Sequence, residues 1–166
     1  MTIGNAMRAD AAALTALRVT VTSDMARRFG AGPWSACPSK AVVVRQLRAS
    51  QVLVARQSAE VVGTVRLIRA NPHLLDASAF TPVGVALYLI GLAVAPDRRG
   101  QGIGGALVEA CKALARAWPA QALWLDTYEH AAGAGRFYEK RGFRKVGPTV
   151  FKDAPMSFYE WSTVEP

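Results

Sequence analysis

The chain is short of the residues that stabilise small proteins through covalent or metal chemistry. Its 166 residues include only two cysteines and two histidines. Cys37 and Cys111 lie far apart and belong to no C-x-x-C pair, so neither a disulfide framework nor a zinc cluster is expected. His73 and His130 have no metal-ligating neighbours in sequence, and no metal is expected. Long apolar runs are missing as well. The longest, Val83 to Ala95, spans 13 residues, short of the roughly 18 that a membrane helix requires. The first thirty residues carry Asp10 and Asp24 and no continuous apolar core, so neither a signal peptide nor a membrane partner is expected. A reducing, cytoplasmic compartment follows as the expectation. Acidic residues are the other shortage: twelve against twenty basic ones, for a net charge of +8 and a pI near 10.1. That balance suggests an anionic ligand, nucleic acid or an acidic acceptor. The rest is ordinary: 51% hydrophobic and 19% charged residues with no repeat, low-complexity tract or long linker. A single domain over 1–166 is expected, large enough to be stable on one apolar core.

The apolar periodicity predicts alternating helices and strands. Asp10 is placed to cap a helix whose Leu14, Leu17, Val21 and Met25 recur at helical spacing, ended by Gly30-Ala31-Gly32-Pro33-Trp34. Ser39 precedes a second helix through Val43, Val44 and Leu47. Gln51–Arg56 and Val61–Ile68 read as a hairpin, and a polar loop from Asn71-Pro72-His73 to Thr81-Pro82 follows. Ala86–Val94 is the strongest strand, apolar enough to predict burial on both faces. Leu107, Cys111, Leu114 and Trp118 step by threes and fours along an amphipathic helix that Pro119 ends. A strand follows over Ala122–Thr127, then a short helix from Ala131 to Arg141 stopped by Gly142, then strands over Phe143–Phe151 and Phe158–Trp161. The expected fold is α/β in the α+β sense: a mixed sheet of six to seven strands with about four helices.

The segment between the strongest strand and its helix is the most informative: Arg98-Arg99-Gly100-Gln101-Gly102-Ile103-Gly104-Gly105. Glycines let backbone N–H groups approach an anion, and the unpaired donors and positive dipole end of the following helix complete a phosphate site. Arg98 and Arg99 add mobile positive charge. Gly100-x-Gly102-x-x-Gly105, with Asp126 ending the next strand, satisfies a dinucleotide fingerprint. Against that reading, Pro96-Asp97-Arg98-Arg99 separate the strand from the first glycine, and only forty residues follow Asp126, too few for the further strand–helix units of such a fold.

The same loop read as Arg99-x-x-Gly102-x-Gly104, preceded by Leu92-Ala93-Val94-Ala95-Pro96 and followed by Phe137-Tyr138-Glu139-Lys140-Arg141-Gly142-Phe143, resembles the GNAT family of N-acetyltransferases. The resemblance covers about sixty residues in the right order; residues 1–80 share only the element order. It implies a mostly antiparallel sheet whose central strands splay around acetyl-CoA, with 1–84 as the acceptor-side half and 85–146 as the cofactor-binding core. It implies that the backbone amides of Arg99, Gly100, Gln101, Gly102, Ile103 and Gly104 carry the cofactor pyrophosphate. Leu92, Ala93 and Val94 would pair with the pantetheine arm as an added strand does, and a backbone N–H at the splay would polarise the thioester carbonyl. Tyr138 would protonate the leaving thiolate.

Two positions depart from the family pattern. Tyr88 stands where several members carry a glutamate base, and no acid occurs from Val83 to Val94; Asp126, Glu129, His130 and Asp76 are the candidates left. Ala131 replaces a frequent pantetheine-binding asparagine, although Gly133-Ala134-Gly135 keeps the backbone open beside it. Phe29 and Trp34, around the Gly30–Trp34 loop, are candidates for acceptor recognition or plain core. Cys37 and Cys111 are poorly placed as covalent nucleophiles. The resemblance therefore implies direct transfer of acetyl from acetyl-CoA to a primary amine on a small molecule or peptide, without metal. A non-catalytic acyl-CoA-binding module is the alternative, and a nucleic-acid binder lacks any recognisable motif. The oligomeric state, a homodimer included, stays open.

Overall fold

In the computed structural model, residues 1–69, 76 and 78–163 are described. The chain forms seven strands and four α-helices: β1 (Thr2–Asn5), α1 (Ala11–Phe29), α2 (Lys40–Ala49), β2 (Gln51–Gln57), β3 (Glu60–Ile68), β4 (Ala86–Val94), α3 (Ile103–Ala117), β5 (Ala122–Tyr128), α4 (Gly135–Glu139), β6 (Arg144–Phe151) and β7 (Ala154–Ser162). The strands form one mixed sheet in the order β1-β2-β3-β4-β5-β7-β6. The β1–β2, β2–β3, β5–β7 and β6–β7 pairs are antiparallel, and β4–β5 is parallel. The β4–β5 register runs only from Ala86↔Ala122 to Tyr88↔Trp124, whereas β5 pairs with β7 along its whole length.

The residues divide into two compact units, 1–67 with 91–110, and 68–90 with 111–166. In the first, α1 and α2 pack Ala11, Leu14, Leu17 and Val43 onto Val52, Val54 and Val61 of the β2–β3 hairpin. Ser39 caps α2 by accepting from Val42 N–H at 3.4 Å, and Gly30 ends α1 at φ 77°, a conformation that disfavours any side chain. In the second, Phe80, Tyr88 and Phe158 form a core on which Trp124 stacks against Phe80, with ring centroids 4.4 Å apart. Cys111 lies fully buried on the inner face of α3, and burial pushes its thiol up to about 12. Cys37 is exposed.

Several expectations need correction. Asp10 precedes α1 but its side chain does not cap it: the carboxylate accepts from Met7 N–H at 2.7 Å and from Arg56 at 2.7 Å. β1 is an element that four short residues, Thr-Ile-Gly-Asn, could not announce. The helix expected over Ala131–Arg141 is confined to Gly135–Glu139. Its first turns are lost because Gly133 presses so close to Tyr128 that a Cβ there would lie 1.8 Å from the Tyr128 carbonyl oxygen, and Ala134 N–H is drawn to Thr127 Oγ1 at 2.8 Å. β7 begins at Ala154 rather than Phe158, because Lys152 and Asp153, both at positive φ, make a two-residue hairpin turn of the type that matches strand twist. Finally, the burial expected along all of Ala86–Val94 holds for Leu87–Leu89, while Ile90–Leu92 are only half-buried. The expected loop residues Asn71, Pro72 and His73 lie outside the described residues.

Candidate functional site

In the first unit, β4 runs into the glycine-rich loop and the loop into α3. Ala95 N–H donates to Val62 O at 2.9 Å, fixing the strand end to β3. Pro96–Arg98 make one 3-10 turn, closed by Arg98 N–H on Ala95 O at 2.9 Å. Gly100 and Gly102 then both adopt φ 79°, a left-handed conformation in which L side chains are strained. A Cβ at either position would meet no heavy atom within 4 Å. The space over the loop is open, which suits an anion approaching the backbone and the start of α3. Ile103, fully buried, anchors that helix start beneath the loop.

The two loop arginines are not mobile charges, contrary to the sequence expectation. Arg99 forms an ion pair with Asp24, a buried carboxylate near the end of α1 that also takes Arg27 at 2.5 Å. The hydrogen bond from Arg99 holds the Asp24 carboxyl below the usual carboxylate range, with Arg27 adding to the effect against the opposing pull of burial. Arg98 reaches Glu60 at 3.6 Å and Asp97 at 3.4 Å. Arg99 is thus a strut between α1 and the loop, and any anion there is met first by backbone.

The sequence reading passed over Gly91. It sits inside β4 at φ 69°, and its carbonyl accepts from Arg18 Nη2 of α1 at 2.5 Å. A Cβ at Gly91 would lie 2.4 Å from that nitrogen. A glycine within an apolar strand is the usual signal of such an irregularity. Leu92, Ala93 and Val94 follow it, with Ala93 buried and its neighbours half-buried.

In the second unit, Tyr88 of β4 is buried and its hydroxyl donates to Asp126 Oδ1 of β5. Burial, then the Asp126 charge and hydrogen bond, push the Tyr88 phenol far above its ordinary value. Asp126 is therefore a strand residue facing Tyr88 rather than the loop or capping residue its place in sequence suggests. Its charge also raises Tyr128 and Tyr138, in each case behind burial as the larger cause. Tyr138 of α4 is 6% exposed and set edge-on to Phe137 and Phe143, with centroids 5.1 and 5.5 Å away. Burial, with the nearby Cys111 and Asp126, keeps its phenol protonated against a smaller opposing effect of Arg141.

The remaining candidates have local roles. Glu129 is exposed, pairs with Lys145 at 2.5 Å and accepts from Ser157. His130 Nδ1 accepts from Ala132 N–H at 3.1 Å. Asp76 is exposed and accepts from Ser78 N–H at 2.9 Å in a turn. Ala131 lies in the turn before α4. Trp34 folds onto its own loop, its Nε1 donating to Gly30 O at 3.1 Å and its ring covering Gly32, while Arg28 lies 5.0 Å from the Phe29 ring centroid. No helix among the described residues is long and apolar enough to cross a membrane.

Against this geometry, residues 19–143 match the model of the Acetyltransferase (GNAT) family. An uncharacterized N-acetyltransferase of Mycobacterium bovis is 32% identical over 101 residues, which cover 61% of this chain and 57% of that protein. The chain therefore matches little more than half the length of that curated relative. Among solved structures, a Streptococcus mutans protein superposes with a TM-score of 0.76 at 20% identity, covering 99% of this chain and all of that one. A Salmonella typhimurium protein solved with its cofactor acetyl-CoA gives a TM-score of 0.74 at 19% identity, covering 100% and 95%. At these identities the two structures establish the fold. With the family model spanning most of its length, this chain belongs to the GNAT acetyltransferase family.

Proposed function

We propose that the protein transfers the acetyl group of acetyl-CoA directly to a primary amine. The observation that carries this reading is the open glycine loop: Gly100 and Gly102, both left-handed and uncovered, lie ahead of α3 in a chain of this family. The similarity to a structure solved with acetyl-CoA supports the same donor. Amides from Arg99 to Gly104 would receive the pyrophosphate, and Leu92–Val94 the pantetheine arm by strand-like pairing. The backbone at Gly91, freed from regular pleating, would offer a donor to the thioester oxygen, a contact typically worth ~3 kcal/mol.

For the proton relay we assign Tyr138 as the acid and Asp126 as the base. A phenol raised by burial keeps its proton at neutral pH until a thiolate forms beside it. Tyr88, in the place of the glutamate common in the family, is hydrogen-bonded to Asp126, so a proton arriving at its hydroxyl can pass on without a free tyrosinate forming. Cys111, buried and protonated, is unsuited to carrying an acetyl group, which supports direct transfer.

The test is release of free thiol from acetyl-CoA with a panel of amines, run beside the melting temperature with and without acetyl-CoA. Thiol release that depends on an amine supports the transferase. A cofactor-dependent rise in melting temperature with no release from any amine would replace it with a non-catalytic acyl-CoA-binding module, a reading that the lack of an acid on β4 favours.

A further inference from the structure

Within the first unit, α1, α2 and the β2–β3 hairpin line a narrow, partly open cleft. Leu14, Val43 and Val52 line it beside the polar Gln46 and Thr64, and two arginines enter it: Arg18 from α1 and Arg66 from β3. Neither is among the ion pairs of the described residues. Among the described residues, Arg18 is tied through Nη2 to the Gly91 carbonyl, and the buried Nε of Arg66 has no hydrogen-bond acceptor. Burial, and then the charge of Arg66, lower Arg18 to about 10; burial also lowers Arg66. Two like charges in a cleft lined by no carboxylate are costly to maintain, and a planar guanidinium with free donors is shaped to receive a carboxylate.

We propose that Arg18 and Arg66 form an anion site that holds a carboxylate of the acceptor, so that the substrate is a small amine bearing a carboxylate. This rests on the acetyl-transfer reading above and narrows it. Arg18 links the site to β4 at Gly91, so an acceptor gripped there lies beside the strand proposed to receive the thioester. The same pair repels a polycationic acceptor. Within the basic excess of the acceptor-side half, Arg45 and Arg48 are exposed on α2 and Arg27 and Arg28 turn to Asp24, whereas Arg18 and Arg66 enter the cleft.

Two measurements test the proposal. In the first, thiol release from acetyl-CoA is compared for 4-aminobutyrate and glutamate against 4-aminobutanamide and glutamine. The acids are expected to be favoured in kcat/KM, and Arg66→Gln to lower their kcat/KM roughly 10²-fold, as for a lost buried charge pair, so that the acid-to-amide ratio falls toward one. Arg66→Lys, which keeps the charge, restores part of the preference, and an unchanged rise in melting temperature with acetyl-CoA confirms that both variants are folded. In the second, calorimetry with glutarate, which has no amine, shows binding to the parent protein that Arg66→Gln removes. Amides used as well as acids, with no effect of Arg66→Gln on the ratio, would overturn the anion site. Arg66-dependent glutarate binding without thiol release from any amine would instead sink the acetyl-transfer reading and leave the anion site standing.

Discussion

The hydroxyl of Tyr88 donates to the carboxylate of Asp126 two residues beyond the last registered β4–β5 pair, Tyr88↔Trp124. The two side chains couple the strands where backbone pairing gives out. If Asp126 receives the proton of the amine, Asp126→Asn should lower kcat by about 10²-fold while leaving the affinity for acetyl-CoA within a factor of two or so of the parent. Tyr88→Phe should lower it less. A full rate in Asp126→Asn, measured by thiol release, would exclude it as the base.

Tyr138→Phe separates packing from chemistry at one atom. The ring contacts with Phe137 and Phe143 survive the change and only the hydroxyl is lost. A roughly 10²-fold fall in kcat with little change in cofactor affinity is the outcome for a removed acid. A rate equal to the parent would make Tyr138 a core residue alone.

Gly102→Ala should affect binding more than stability. A Cβ meets nothing in the protein there, so the cost to folding is the positive φ alone, about 1 kcal/mol. The same Cβ enters the space proposed for the pyrophosphate, and the Kd for CoA should rise by about tenfold or more. Calorimetry with CoA reads the second effect and thermal melting the first; an unaltered Kd would move the phosphate site elsewhere.

Asp24 makes stability depend on acid in a predictable direction. Its folded pKa is lowered from an ordinary value of 3.8, so the unfolded chain takes up the proton first. Its contribution is complete above about pH 4 and is lost as pH falls through the lower folded value. Asp24→Asn should lower the melting temperature by roughly 5 °C at neutral pH, the effect of one or two lost charged hydrogen bonds. It should also flatten the fall in stability below pH 4. An acid limb as steep as that of the parent would show that other carboxylates dominate it.

The sheet and the loop were legible in sequence because short-range physics decides them. The apolar run of β4, the stepped apolar face of α3 and the glycines after Arg99 each leave one reasonable local structure. Gly142 as a stop was read for the same reason. What escaped depends on partners distant in the chain. Arg99 reads as a phosphate ligand until Asp24, 75 positions earlier, is seen to hold it. Asp10 reads as a helix cap until Arg56 is seen to claim its carboxylate. Asp126 follows Trp124-Leu125 at a strand end and gives no sign of the tyrosine that faces it. Arg18 did carry a signal: it lies one helical step from Leu14, on the buried stripe of α1, where a cation has to be explained.

The burial of Cys111 has a practical consequence. A thiol held near 12 in a closed core does not react with maleimides or disulfide reagents at neutral pH, whereas Cys37 is in contact with solvent. The native chain should therefore take up one label and the denatured chain two. A mass spectrum after brief labelling becomes a gauge of how often α3 opens, obtained without an engineered probe, and it gives a known blank of one equivalent for every assay that counts liberated thiol.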